Sequence, residues 1–460
     1  MPSEARNRVQ SVNPVNGELI QRFETLTPAA VSTILDAAVA AQRDWAKLPL
    51  PERAIPMKKV AALLKERAPD YGRIMALEMG KPVKDGIAEA NKCASGCEHY
   101  ADNAAAYLAP REIGTDASKS YVRYDPIGVV LAVMPWNFPF WQVFRFIAPT
   151  LMAGNGGVLK HASNVPQCAL AIEQVMRDAG FPRDLFRSLL IGSSAVNDLI
   201  ADPRIAAVTL TGSEAAGRAV GAAAGLALKP VVLELGGSDP FIVLADADLE
   251  AAAKTAAYTR CINSGQSCIA AKRFIVVDAV HDAFLAKFTE AMRATKMGDP
   301  FDAQSAIGPQ ARHDLRDELH QQVEQSVKQG ARLVLGGTVP PGPGAFYPPT
   351  VLADVKPGNL AYRDEIFGPV ASVIRARDTE DALRIANDSP FGLGASLWTR
   401  DPAVADQLVP RIEAGAVFVN SFVKSDPRLP FGGIKTSGVG RELGAEGIHA
   451  FVNAKTVWIK

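Results

Sequence analysis

The chain has no surplus of charge of either sign, with 49 Lys and Arg set against 49 Asp and Glu. Without a positive field it has no global means of holding nucleic acid or an anionic membrane. Long apolar runs are missing too. The longest, Ile127 to Trp136, is about half of what a membrane-spanning helix needs. The start, Met1 to Val12, is polar and lacks the apolar core of a secretory signal. Cysteine is scarce and odd in number (93, 97, 168, 261 and 268), which argues against a disulfide framework. The six histidines form no HExxH or comparable spacing. Cys93 and Cys97 have no nearby His pair or second CxxC, so no metal site is predicted. These absences predict a soluble cytoplasmic protein that binds neither nucleic acid nor membrane.

What is present is an ordinary globular composition, 48% hydrophobic and 21% charged, which excludes a disordered chain. At 460 residues it exceeds one ordinary core and has room for two or three domains. Residues 30–110 read as helices rich in Ala, Leu, Lys and Glu, for example Ala29–Lys47 and Ile55–Glu66. Ser120–Ile127 alternates like an exposed strand, and Gly128–Met134 is a continuous apolar run like a buried one. Strands and helices then alternate. Gly157–Leu159, Leu189–Ile191, Val208–Leu210 and Val231–Leu235 are strand candidates, with a helix over Gln167–Ala179. A second series begins near Pro240, with strands at Phe241–Leu244 and Arg273–Val277 and helices at Leu249–Asn263 and His281–Met292. Asp314–Gln329, Ala371–Arg375 and Thr379–Asn387 continue it, followed by strand-like Gly415–Val419. The tail Phe451–Ile459 ends as a strand. This pattern predicts an α/β fold built on open, mostly parallel sheets with helices on both faces.

Three segments hold unusual combinations. Met134-Pro135-Trp136-Asn137-Phe138-Pro139 encloses an amide among aromatics and prolines at a strand end, although an Asn there is ordinarily a turn or cap residue. Leu233-Glu234-Leu235-Gly236-Gly237 puts a carboxylate inside an apolar run, where burial is costly without a partner or a task. Asn263-Ser264-Gly265-Gln266-Ser267-Cys268 presents a thiol on a loop after an Ala-rich helix. A lone Cys is usually an inert small hydrophobe, and only the loop placement singles this one out.

Together and in this order, the segments resemble the aldehyde dehydrogenase superfamily. The resemblance extends through Gly212-Ser213-Glu214, Glu365-Ile366-Phe367-Gly368-Pro369 and the run Pro430–Gly438, and it reaches from Asn13-Pro14 to the final strand. It implies an aldehyde dehydrogenase-like fold: a Rossmann-type cofactor domain (1–110 and 132–239), an α/β catalytic domain (240–430) and a protruding oligomerisation strand pair (111–131 and 445–460). An exposed strand edge suits a partner copy, so a homodimer or tetramer is expected.

By the same resemblance Cys268 is the nucleophile, Glu234 the general base and Asn137 the oxyanion donor. The chemistry needs these types. A free thiol is only a few per cent thiolate at neutral pH and requires activation. The oxygen of the thiohemiacetal needs a hydrogen-bond donor. A thioester needs a base to activate water, a role that a raised carboxyl pKa favours. The resemblance also assigns a nicotinamide dinucleotide. Gly212 and Ser213 open a helix with Gly217 on its first turns, which suits a pyrophosphate. Lys160 reaches the adenosine ribose, Glu365 and Phe367 meet the nicotinamide ribose and ring, and Pro135 and Trp136 line the crevice. Gly438-Val-Gly440 is read as structural. Where NAD-preferring relatives often place a Glu three residues after the Lys, this chain has Ser163. A carboxylate would repel a 2′-phosphate and a Ser beside a Lys can bind one, which favours NADP over NAD.

The nearest subgroup in appearance is the short succinate-semialdehyde dehydrogenases, through Lys160–Pro166 and Trp136–Arg145. A distal carboxylate wants a cation, and Trp141 and Arg145, four apart, share a helix face. Ser425 can add a hydrogen bond. The alternatives are an Arg145 that is a surface ion-pair residue, with glutarate semialdehyde or a simpler aldehyde as substrate, and a catalytically silent binding protein on the same fold. Cys261, seven residues before Cys268, is expected on the preceding helix, which speaks against a local redox switch.

Overall fold

The computed structural model describes residues 9–460; residues 1–8, most of the polar start noted above, lie outside the described residues. Five short apolar strands, Val129–Met134, Gly156–His161, Phe186–Ser188, Ile205–Thr211 and Val231–Glu234, form a parallel sheet. A sixth, Gly438–Val439, joins antiparallel at the edge beside Val231–Glu234. The period of two places alternate side chains in separate cores. Val130, Ala132 and Met134 pack with the helices Leu50–Glu66, Ala68–Met79 and Val83–Tyr107, while Val129 and Leu131 face Pro28–Trp45 and Glu214–Leu226. A sheet covered on both faces must be apolar on both, which is why its strands read as unbroken hydrophobic runs.

The second sheet has seven strands in the spatial order Arg332–Leu335, Thr350–Ala353, Val370–Ala376, Arg273–Val277, Pro240–Val243, Gly394–Trp398, Ala416–Val419. All run parallel except the first. Here too Phe241, Val243, Phe274 and Val276 fill one core, and Ile242, Leu244, Ile275 and Val277 the other. Among the described residues no helix is long and apolar enough to cross a membrane, and all five cysteines are unpaired thiols.

A third, antiparallel sheet joins Val452–Ile459 to Lys119–Pro126 and departs from expectation in having a third strand, Arg111–Glu112. Residues Val129–Leu131, expected with that segment, instead begin the central strand of the six-stranded sheet, because their apolar run continues without a break into Met134. The strand expected at Leu189–Ile191 lies at Phe186–Ser188: Leu189 donates one last bond to the Leu159 carbonyl (2.7 Å), and the chain then bends as Ile191 N–H bonds back to Leu189 (3.0 Å). Arg332–Leu335, Thr350–Ala353 and Gly394–Trp398 were not expected as strands. The last, Gly-Ala-Ser-Leu-Trp, is built largely from small residues that carry no β signal.

Candidate active site

The carboxyl ends of parallel strands are where an α/β sheet gathers ligands. Three of the expected segments leave the six-stranded sheet there: Pro135–Asn137 after Met134, Gly212–Ser213 after Thr211, and Leu235–Gly237 after Glu234. They meet the Cys268 loop of the other half of the chain across a cleft of about 460 Å³, whose walls include Trp136, Asn137, Gly212, Ser213, Cys268 and Phe367. Ser213 caps the following helix, its hydroxyl accepting from Ala216 N–H at 3.4 Å. Gly217 serves packing, since a side chain there would strike Leu235 and push the helix off the sheet. Lys160 and Ser163 stand at the end of the neighbouring strand, outside the cleft walls just named. Lys160 is buried, burial lowers its pKa, and among the described residues no carboxylate lies within 4 Å of it. Between them His161 bridges two strand ends: its Nδ1 accepts from Ala162 N–H (2.9 Å) and its Nε2 donates to the Pro139 carbonyl (2.9 Å). Burial pushes its pKa down to about 4, so the ring is neutral.

The Cys268 loop is held in a costly conformation. Asn263, Ser264 and Gly265 have φ of 54°, 56° and 75°, three successive left-handed residues. Such non-glycine geometry costs on the order of 1–3 kcal/mol per residue and persists only where the surroundings enforce it. Here Ser264 Oγ exchanges hydrogen bonds with Gly308 (3.0 Å), and Gln310 Nε2 donates to Ser264 O (3.1 Å). Asn263 Nδ2 donates to the Asn137 carbonyl (2.7 Å). Lys272, buried behind the loop, donates to the carbonyls of Ser267 (3.0 Å) and Cys268 (2.9 Å). Its ammonium is also 3.2 Å from Glu365 Oε1, which accepts from Gly237 N–H at 3.1 Å. Glu365 therefore lies along Gly236–Gly237 in the cleft wall, and Trp136 meets Phe367 edge-on at 5.9 Å.

Asn137 is set from two sides. Its Nδ2 donates one hydrogen to Gln266 O (3.1 Å), which leaves the second hydrogen of the amide for another acceptor. Its own carbonyl accepts from Lys81 Nζ (3.0 Å), and Lys81 is ion-paired with Glu89 in the interior. Glu89 in turn accepts the Phe140 and Trp141 N–H groups (2.9 Å each) at the start of helix Trp141–Met152. Breaking such a buried pair typically costs about 3–5 kcal/mol. Lys81 and Glu89 thus fix the turn that aims Asn137.

Glu234 is buried at the end of its strand, and neither carboxylate oxygen has a hydrogen-bond partner among the described residues. Burial raises its pKa well above the carboxylate range. Arg145 and Arg441 oppose that rise and Glu442 adds to it. Gly432 makes room for it, because a side chain there would come 2.6 Å from Glu234 Oε1. Gly438 pairs directly with Glu234 across the sheet edge, so the Gly438-Val-Gly440 run is structural as expected. Burial also pushes the Cys268 thiol up to about 11, against the pull of Arg145 and Lys272.

Trp141 and Ser425 are brought together, the indole Nε1 donating to Ser425 Oγ at 3.1 Å. Arg145 is neither on the surface nor beside that hydroxyl. It is 2% exposed and ion-paired with Glu442. Its Nη2 donates to Thr211 Oγ1 (3.2 Å), and the guanidinium lies 4.6 Å from the centre of the Phe431 ring. The helix is buried all round, so sharing a face did not mean sharing a neighbour. Lys81, Glu89, Lys92, Lys272 and Glu442 were missed in the sequence. The only available signal was a charged residue in an apolar or Ala-rich stretch, as in Ala270-Ala271-Lys272.

The chain has relatives among known proteins. The model of the aldehyde dehydrogenase family matches residues 1–457. A probable NADP(+) succinate-semialdehyde dehydrogenase of Synechocystis is 52% identical over 98% of this chain and 99% of its own. A succinate semialdehyde dehydrogenase of Escherichia coli K12, named for NAD(P)+, is 48% identical over 97% of each chain. The crystal structure of succinic semialdehyde dehydrogenase from Streptococcus pyogenes with NADP+ superposes with a TM-score of 0.96 at 37% identity, over 98% of this chain and 99% of that one. The chain belongs to the aldehyde dehydrogenase family.

Proposed function

We propose that the protein oxidises succinate semialdehyde to succinate through a thioester on Cys268, with NADP favoured over NAD. The observation that carries this reading is the position of Cys268 in the wall of a cleft that also holds Asn137 and Glu365, with Trp141 and Ser425 grouped on the other side of the Asn137 turn. The cleft suits a dinucleotide. Ser213 and the first turn of the 13-residue helix that it caps offer backbone N–H groups, Phe367 and Trp136 offer apolar walls, and at the end of the neighbouring strand Lys160 is a buried cation with no carboxylate within 4 Å among the described residues. Ser163 near Lys160 accommodates a 2′-phosphate where a carboxylate would repel it.

The bound nicotinamide would supply the hydride acceptor. The chain's own residues do the rest. Glu234, with both oxygens free, takes the thiol proton, and Arg145 and Lys272 stabilise the thiolate. A C–S bond forms to the aldehyde carbon. The carbonyl oxygen takes up negative charge, which the second Asn137 N–H and the Cys268 backbone N–H hold; losing one such donor typically costs ~10²–10³ in rate. Loss of hydride leaves the acyl group as a thioester. Glu234 passes the thiol proton on to solvent and then takes a proton from water as the hydroxyl attacks the thioester carbon, the C–S bond breaks, and the Cys268 thiolate returns. Trp141 and Ser425 meet the distal carboxylate, with Arg145 adding positive potential.

Unpaired thiols suit a reducing compartment, and we place the protein in the cytoplasm. The open edge of Val452–Ile459, with Trp458 and Ile459 about half exposed, supports a homodimer or tetramer. Light scattering that finds a monomer removes that assembly. Absorbance at 340 nm with succinate semialdehyde and either cofactor tests the activity. Reduction of NADP that disappears in Cys268→Ala is the expected result. No reduction with several aldehydes overturns it.

A further inference from the structure

Helix Val83–Tyr107 carries Lys92 to the wall of a second cavity, about 400 Å³, whose lining includes Phe138, Trp141 and Asn263. The ammonium donates to Ser425 Oγ (2.6 Å) and stands 4.5 Å from the centre of the Trp141 ring. Among the described residues no carboxylate lies within 4 Å of it. The indole is admitted by Gly96, whose absent side chain would lie 3.2 Å from the ring.

The hydrogen bonds here are unbalanced in a way that points to an anion. Ser425 Oγ already accepts from Lys92 Nζ and from Trp141 Nε1, so its own hydrogen is left to donate. Lys92 has two further N–H groups. Three donor groups thus converge with no acceptor except the shared oxygen. The nearby carboxylates are engaged elsewhere: Glu89 with Lys81 and the Phe140 and Trp141 N–H groups, Asp426 with Arg428. Asp85 lines the same cavity farther along the helix and opposes anions at that end. Arg145, the cation first expected in this role, is occupied by Glu442, Thr211 and the Phe431 ring, and an incoming carboxylate would have to compete with an internal one.

We propose that Lys92 is the ammonium that binds the distal carboxylate of a short ω-carboxylated aldehyde, with the Ser425 hydroxyl, held by the Trp141 indole N–H, as a neutral donor to the same group. This rests on the reading of the protein as a semialdehyde dehydrogenase and adds to it a specificity-determining residue distinct from Arg145. A charge-assisted bond in a partly desolvated pocket discriminates strongly against an uncharged analogue of equal length.

The test compares kcat/KM for succinate semialdehyde with kcat/KM for butyraldehyde in the wild type, Lys92→Met and Lys92→Arg. In Lys92→Met the ratio is expected to fall by roughly tenfold or more, chiefly through KM for the semialdehyde, with partial recovery in Lys92→Arg. A second readout is pH. Burial and the Arg145 charge lower the Lys92 pKa to about 8, against the opposing pull of Cys93, Glu89 and Asp426. The wild-type KM for the semialdehyde therefore rises as the pH passes about 8 and the ammonium is lost, and in Lys92→Arg this rise is absent. A high ratio retained in Lys92→Met, or equal losses on both aldehydes, overturns the role of Lys92 and leaves the proposed substrate standing. A wild-type ratio near unity overturns both. Should Lys92→Met fail to fold, Lys92→Gln is the substitute, and a high ratio retained there overturns the role.

Discussion

Arg145 and Glu442 form an ion pair sealed inside the protein, and the charge of each reaches Glu234. Glu442 raises the pKa of Glu234 and Arg145 lowers it. Glu442→Gln is expected to remove the raising charge and release Arg145 toward Glu234, so the Glu234 pKa falls. A general base works when deprotonated, so the acid limb of the kcat profile moves to lower pH. The same variant leaves a buried guanidinium without its partner, and thermal unfolding should show a loss of about 3–5 kcal/mol.

Cys268 is the one cysteine of the five that is partly exposed; Cys93, Cys97, Cys168 and Cys261 are buried. Iodoacetamide is expected to label Cys268 first in the folded protein, as peptide mapping would show. The rate should keep rising with pH through neutrality toward about 11, because the thiolate fraction grows until the pH passes the pKa. A plateau near pH 7 would show that the thiol is activated before aldehyde arrives.

Gly265 has φ of 75° and lies against the backbone of Gly368, with which any side chain would collide. Gly265→Ala is expected to cost at least about 1–3 kcal/mol and to displace the cysteine loop, with a larger loss in kcat than in stability. Gly225, in helix Glu214–Leu226 with open space around it, provides the contrast. Gly225→Ala should stabilise by about 0.5–1 kcal/mol and leave turnover unchanged. Unfolding and turnover measured on both variants separate local strain from glycine replacement as such.

Ser163→Glu introduces a carboxylate where the 2′-phosphate of NADP is expected. KM for NADP should rise by about tenfold or more, while KM for NAD changes little or falls. Equal changes for both cofactors would place the 2′-position elsewhere.

The strands that carry the site were legible because both faces of each sheet are buried, so Gly128–Met134 and Val231–Leu235 read as apolar runs, although 128–131 were also expected with the protruding strand pair. The position of Cys268 on a loop was legible as well. The residues that hold these groups in place were not. Lys81 lies 56 residues from Asn137, whose carbonyl it holds, and Lys92 lies 333 from Ser425. No local period connects such pairs; they meet only after the sheets have formed. Arg145 shows the converse error. The spacing of four puts Arg145 one turn after Trp141 on the same helix, but the next layer of the fold, Glu442 and Phe431 near the end of the chain, decides what Arg145 touches.

Asn137 lines one cavity and Phe138, its neighbour in sequence, lines the other. A single turn of chain is therefore a partition with the thiol loop at its edge, and on the proposed reaction the two reactants use separate doorways. On the proposed reaction, succinate can depart by the way its aldehyde arrived while the dinucleotide stays in place. Added succinate should then compete with the aldehyde and not with the cofactor, and each doorway can be reshaped without redesigning the other.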